Sequence, residues 1–229
     1  ALCGPYSTDY GNAEQKARLL PGIISGEIIL AVAMTEPSAG SDLAGMRTTA
    51  VDKGDHYELN GSKVFISNGI LSYVVIVAAK TDPANKHAMG LFLVERGMDG
   101  FERGTPLKKL GMKSQDTAEL FFTNVKVPKT NVLGDAKGGF FYLMNMLAQE
   151  RLTNACGAVG ASEAALQVTI DYVKERKAFG LPIAHFQNTR FKLAEMRTQV
   201  DVAQVFVDRC VMDYNQKKLT PEVAAEAKL

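Results

Sequence analysis

Asn60-Gly61, set between His56-Tyr57-Glu58-Leu59 and Lys63-Val64-Phe65-Ile66, is the feature that most constrains how this chain can fold. An Asn-Gly step favours φ > 0 at both central residues, so between two β-type runs it predicts an antiparallel hairpin. Further β-branched and aromatic runs follow at Val74 to Ala79, Leu91 to Val94 and Leu120 to Val127. No helix-length segment alternates with them, which predicts an antiparallel barrel or sandwich over residues 31–137 rather than a parallel α/β sheet.

Residues 1–30 carry a short helical pattern around Ala13, Ala17, Leu19 and Leu20, expected to stop before Pro21. From 138 onward the pattern is helical, with no proline between Lys137 and Leu181. Phe140, Leu143, Met144, Leu147, Ala155, Ala158, Leu166, Ile170 and Val173 approximate one buried stripe. A second helix is expected after Asn188, with Met196, Val200, Ala203, Val207, Cys210 and Tyr214 as its seam, antiparallel to the first across the loop Ala178 to Gln187. Thr220-Pro221-Glu222 reads as an N-cap, an N1 proline and a first-turn acid. A helix starting there has about two turns before Leu229, which suggests a truncated chain.

The fold class expected is therefore α+β: the tail of a helical domain (1–30), a middle β-domain (31–137), and the first part of a C-terminal helical domain (138–229). A chain of 229 residues can bury roughly 70% or more of its unfolded surface without staples. A net charge of +1 and 22% charged residues argue against nucleic acid as a partner. Cys3, Cys156 and Cys210 suit neither a disulfide framework nor a zinc site, which points to a reducing compartment. The longest apolar runs are too short to span a bilayer. The start Ala-Leu-Cys-Gly-Pro lacks a charged n-region followed by a hydrophobic h-region, so no targeting signal is expected in it, although a chain that lacks an initial Met leaves a removed leader open.

Common catalytic and nucleotide-binding motifs are absent. There is no Gly-x-Gly-x-x-Gly after a strand and no Gly-x-x-x-x-Gly-Lys-Ser/Thr; Gly157-Ala-Val-Gly160 lies within a helical pattern and reads as helix packing. His56, His87 and His185 are isolated, so no metal site is expected. Met34-Thr-Glu-Pro-Ser-Ala-Gly-Ser-Asp42 is more informative, because it concentrates hydroxyls and turn amides suited to a pyrophosphate, although a plain surface turn has the same composition.

That segment, then Asn60-Gly-Ser-Lys-Val-Phe-Ile-Ser-Asn-Gly69, then Glu175-Arg-Lys-Ala-Phe-Gly180 with Phe186-Gln187, resembles the acyl-CoA dehydrogenase family in order and separation. The resemblance runs from about Tyr10 to the end and is nearest to long-chain members. It implies an up-down four-helix C-terminal domain, incomplete in this chain, and a flavin adenine dinucleotide (FAD). Val32, Thr35, Gly40 and Ser41 match the flavin-lining loop; Phe65, Ile66 and Ser67 match the second flavin strand, with Phe for the commoner Trp and Ser for the commoner Thr. Arg176 matches an arginine on the flavin pyrophosphate of a neighbouring subunit, and Gln187 a glutamine near the adenosine end. Ser41, Phe141 and Arg151, and less closely the Ala88-Met89 loop, match substrate contacts.

The same resemblance implies that Glu150, in Ala148-Gln-Glu-Arg-Leu152, is the general base. Glu150 follows Leu143 by seven and Met146 by four and so extends an apolar stripe. Desolvation raises a carboxyl's pKa and makes it a better base; the alternative is a structural glutamate paired with a cation. The implied reaction is α,β-dehydrogenation of fatty acyl-CoA to trans-2-enoyl-CoA in β-oxidation, with hydride passing to flavin N5. Electrons would go to an electron-transferring flavoprotein. A homodimer or homotetramer is implied, cytoplasmic in a bacterium or in the mitochondrial matrix of a eukaryote. An acyl-CoA oxidase on the same fold and a non-catalytic assembly relative are the alternatives.

Overall fold

The computed structural model describes residues 2–82, 84, 85 and 87–229. These form two compact units that divide between Met144 and Asn145.

The first unit opens with helices α1 (Gly4–Tyr10) and α2 (Ala13–Ser25). Asn12 and Gln15 form a reciprocal capping box at the start of α2, which satisfies two otherwise orphaned amides. The helix does not stop before Pro21 but runs through it. Proline removes only the hydrogen bond to the Ala17 carbonyl, and both residues lie on the exposed face, where water can replace that bond. Gln15 also donates to the Thr130 and Val132 carbonyls at 2.7 and 2.8 Å, tying α2 to the sheet unit.

Eight strands make one sheet: β1 (Leu30–Ala33), β2 (Thr49–Asp52), β3 (His56–Ser67), β4 (Val74–Lys80), β5 (Met89–Glu95), β6 (Phe101–Arg103), β7 (Thr117–Pro128) and β8 (Val132–Leu133). Their order is β6-β7-β3-β2-β4-β5-β8, with β1 attached to β4. Pairing is antiparallel except where β1 and β2 meet β4, both parallel. β4 and β5 are buried except at their last residues, whereas β7 alternates between core and solvent. That difference explains why Val74 to Ala79 reads as a continuous apolar run.

The expected hairpin at Asn60-Gly61 is not there. β3 continues through both residues and pairs with β7 along its length. Between Leu59 and Gly61 the partner strand uses three steps, Val125 to Phe122, where β3 uses two, so β7 carries a bulge. Asn124 on β7 takes a positive φ (52°), and its amide donates to the Asn60 side-chain oxygen at 2.8 Å. Gly61 itself has φ 147° within the continuous strand, and a Cβ there would lie 2.5 Å from Thr48 Oγ1 and 2.8 Å from its Cα.

The long helix α3 (Gly139–Glu175) begins in the first unit and continues through the second, where it is followed by the short strands β9 (Lys177–Ala178) and β10 (Leu181–Pro182), then α4 (Gln187–Asn215) and α5 (Pro221–Lys228). Where a loop was expected, Phe179 (φ 53°) and Gly180 (φ 80°) make a two-residue hairpin turn with both central φ positive. α3 and α4 are antiparallel, with Val159 clustered with Val207 and Ala203, and Glu163 bonded to Arg197. Thr220 caps α5 by accepting from the Val223 amide. Ala158, expected in the buried stripe, is exposed, and Val159 is buried in its place. In the α4 seam Val207 and Cys210 are buried, while Met196 and Tyr214 are exposed. Among the described residues no helix is long and apolar enough to cross a membrane, and no group of three or more His, Cys, Asp or Glu could hold a metal ion.

Candidate functional site

In the first unit the candidate site is built where the loop after β1 meets β3. Glu36 and Ala39 exchange backbone hydrogen bonds at 2.8 and 3.2 Å, closing a turn over Pro37 and Ser38. The Val64 amide donates to the Thr35 carbonyl at 2.9 Å, which brings this loop onto β3 beside Phe65. Between Lys63 and Ile66, β3 takes one more step than β7, so a second bulge lies at Val64-Phe65. Phe65 has φ 59°, and the residue is 68% exposed. A bulky non-glycine residue in the left-handed region is uncommon and costs of order 1–3 kcal/mol, a strain that concentrates at ligand sites.

Under this junction lies a buried ion pair that the sequence reading did not identify. Lys63 is fully buried and its Nζ lies 2.8 Å from Glu36 Oε1, with the Glu36 side chain only 3% exposed. The ammonium also donates to the Met34 carbonyl at 3.1 Å and lies 3.9 Å from Met46 Sδ. The carboxylate accepts from the Arg47 amide at 2.6 Å and the Thr48 amide at 3.0 Å. Burial opposes the charge of Glu36, but the Lys63 ammonium and these hydrogen bonds outweigh it and hold the carboxyl below its ordinary range. The available signal was a lysine inside a β-type run and a glutamate inside a turn segment. Nothing in their spacing pairs them.

The expected flavin residues of this unit have different surroundings. Val32 is half-buried in β1, Thr35 is half-buried, and Gly40, Ser41 and Ser67 are exposed. Ile66 is 3% exposed and belongs to the core, so only its backbone can serve a ligand. An exposed aromatic face, two exposed serine hydroxyls and the Gly40-Ser41 backbone together suit a ligand that joins a flat ring to a diphosphate. Phe141, near the start of α3, is 66% exposed.

In the second unit Glu150 and Arg151 are half-buried on α3, and Glu150 follows the buried Met146 by one helical turn. Arg176 directly follows α3 and is exposed. Its amide donates to the Tyr172 carbonyl at 2.9 Å and its carbonyl accepts from the Ile183 amide at 2.8 Å, so the β9–β10 hairpin fixes its backbone. Gln187, the first residue of α4, is exposed just past that hairpin. The Phe179 and Phe186 rings meet edge to face at 6.2 Å across the same segment.

Residues 31–125 match the family model described as "Acyl-CoA dehydrogenase, middle domain", and residues 137–229 that described as "Acyl-CoA dehydrogenase, C-terminal domain". The long-chain specific acyl-CoA dehydrogenase of Sus scrofa mitochondria is 50% identical over 227 residues, 98% of this chain and 53% of that protein. Isovaleryl-CoA dehydrogenase of Pongo abelii mitochondria is 44% identical over 231 residues, 99% of this chain and 53% of that protein. The crystal structure of acyl-CoA dehydrogenase from Geobacillus kaustophilus superposes with a TM-score of 0.96 at 47% identity, over 99% of this chain and 60% of that one. The chain thus spans about half the length of the curated relatives it matches.

Proposed function

Because the chain belongs to the acyl-CoA dehydrogenase family, we propose that the full-length protein catalyses FAD-dependent α,β-dehydrogenation of a fatty acyl-CoA, with Glu150 as the base that removes the α proton. When bound, the flavin supplies a two-electron acceptor for the β hydrogen. Thr35, the Gly40-Ser41 turn and Ser67 offer it hydroxyl and amide donors, the Phe65 ring offers it an aromatic face, and Val32 and Ile66 line it. Arg176 pairs with a phosphate, for which a guanidinium fork is well shaped, and Gln187 reaches the adenosine end. Ser41, Phe141 and Arg151 contact the acyl-CoA. The product is a trans-2-enoyl-CoA, and a long-chain substrate is favoured by the 50% identity to a long-chain specific enzyme. An electron-transferring flavoprotein takes the electrons from a homodimer or homotetramer whose chain divides near 30 and 137.

The observation that carries the catalytic assignment is the position of Glu150. It is half-buried, one turn from the buried Met146 and two from the buried Leu143, so its position extends the apolar stripe of α3. Glu150→Gln in the full-length protein keeps the helix and the shape but cannot accept a proton. Flavin reduction by acyl-CoA, followed anaerobically by stopped flow, is expected to slow on the order of 10²–10⁴-fold while flavin and acyl-CoA binding persist. Reduction within a few-fold of wild type would remove Glu150 from the role.

A further inference from the structure

We propose that the buried Glu36–Lys63 pair is a positioning device for the flavin, holding the Thr35 and Ser41 loop at a set distance from the Phe65 ring; this rests on the flavin site proposed above. Glu36 is one residue from Thr35, and Lys63 is two from Phe65. Any tilt between loop and strand at the pair therefore passes directly to both ligand-facing groups.

Burial of opposite charges is a weak device for stability. Their desolvation offsets most of their attraction, and an apolar pair of similar volume is often as stable or more so. What the ions add is direction. The ammonium is shared among Glu36 Oε1, the Met34 carbonyl and Met46 Sδ, while the carboxylate takes the Arg47 and Thr48 amides as well. Three chain segments, 34–36, 46–48 and 63–64, are thereby locked at one point, and the Thr35–Val64 backbone bond lies beside it. With Lys63 fully buried and the Glu36 side chain 3% exposed, the pair serves neither solubility nor a surface contact. Gly61 completes the lock, since any side chain there would push Thr48, and with it one donor to Glu36, away from β3.

The discriminating variant is the neutral double substitution Glu36→Gln with Lys63→Met in the full-length protein. Gln keeps one acceptor, for the Thr48 amide, and loses the one that took the Arg47 amide, and Met fills the aliphatic volume of lysine, so most of the packing is retained while the directed charges are lost. The thermal unfolding midpoint of the flavin-free protein should fall less than in the single Lys63→Met variant, whereas the flavin dissociation constant, measured by titration into flavin-free protein, should rise about tenfold, the order of one lost hydrogen bond. Single Lys63→Met, which strands a buried carboxylate, should lower both stability and affinity. Wild-type affinity in the double variant would show that the pair only packs, and would overturn the proposal. If the double variant does not fold, Lys63→Gln carries the test, with its folded state checked by circular dichroism: it should bind flavin about tenfold more weakly than wild type. A folded Lys63→Gln protein of wild-type affinity also overturns it. A wild-type protein that takes up no flavin sinks the site reading itself, whereas flavin bound equally by wild type and the double variant sinks only the role of the pair.

Discussion

Phe65 combines a left-handed backbone (φ 59°) with an aromatic side chain on a residue that is 68% exposed, so neither its conformation nor its burial serves the fold. The left-handed region costs a residue with a Cβ roughly 1–2 kcal/mol, a cost glycine escapes. Phe65→Gly should therefore raise the chemical-denaturation stability of the flavin-free protein by on the order of 1 kcal/mol. The same change removes one aromatic face, and flavin affinity should fall roughly three- to tenfold, the equivalent of about 0.5–1.5 kcal/mol. Lower stability together with unchanged affinity would mean that the ring supports the sheet instead. The neighbouring glutamate has the opposite character, since Glu36 is invisible as a site residue until Lys63, far away in sequence, is seen to reach it at 2.8 Å.

Among the elements, α3 and α4 are joined by Arg197, which donates to both carboxylate oxygens of Glu163 at 2.9 and 2.6 Å and to Asp201 at 2.6 Å. The hydrogen bond from Arg197 is the main cause that holds the Glu163 carboxyl below its ordinary range, and it raises Arg197 in turn. A carboxyl depressed in the folded state contributes stability above its unfolded pKa and loses it as pH falls through the folded value. Glu163→Gln should therefore weaken amide-exchange protection around 159–166 and 197–207 at pH 7, and the difference from wild type should close as the pH drops below the ordinary carboxylate range. A gap that persists at low pH would assign the effect to packing. The Phe179-Gly180 turn belongs to this scale too: both its φ values are positive, the geometry that sequence reading assigned to Asn60-Gly61. Asn-Gly is the better turn former, yet β3 has partners on both sides, β2 and β7, and a continuous ladder outweighs the local preference.

For the whole molecule the test is Arg176→Lys, because this exposed residue projects from a hairpin rather than from a core. Lysine keeps the charge and loses the fork, so flavin retention in equilibrium dialysis should weaken on the order of tenfold while thermal unfolding of the flavin-free protein stays unchanged. Undiminished retention would leave Arg176 as a helix C-terminal cation. Periodicity and capping are local, so the succession of helix, sheet and long helices was legible in the residues: Val74 to Ala79, Leu91 to Val94 and Leu120 to Val127 all lie in strands, and Thr220 caps α5. Family membership was also legible, since its motifs are contiguous. Tertiary structure alone decided the parallel attachment of β1 to β4, the passage of β3 through Asn60-Gly61 with bulges on two strands, and the Glu36–Lys63 lock. Each depends on which distant segment supplies the hydrogen-bond partner, and local propensity carries no information about a partner that only folding brings near.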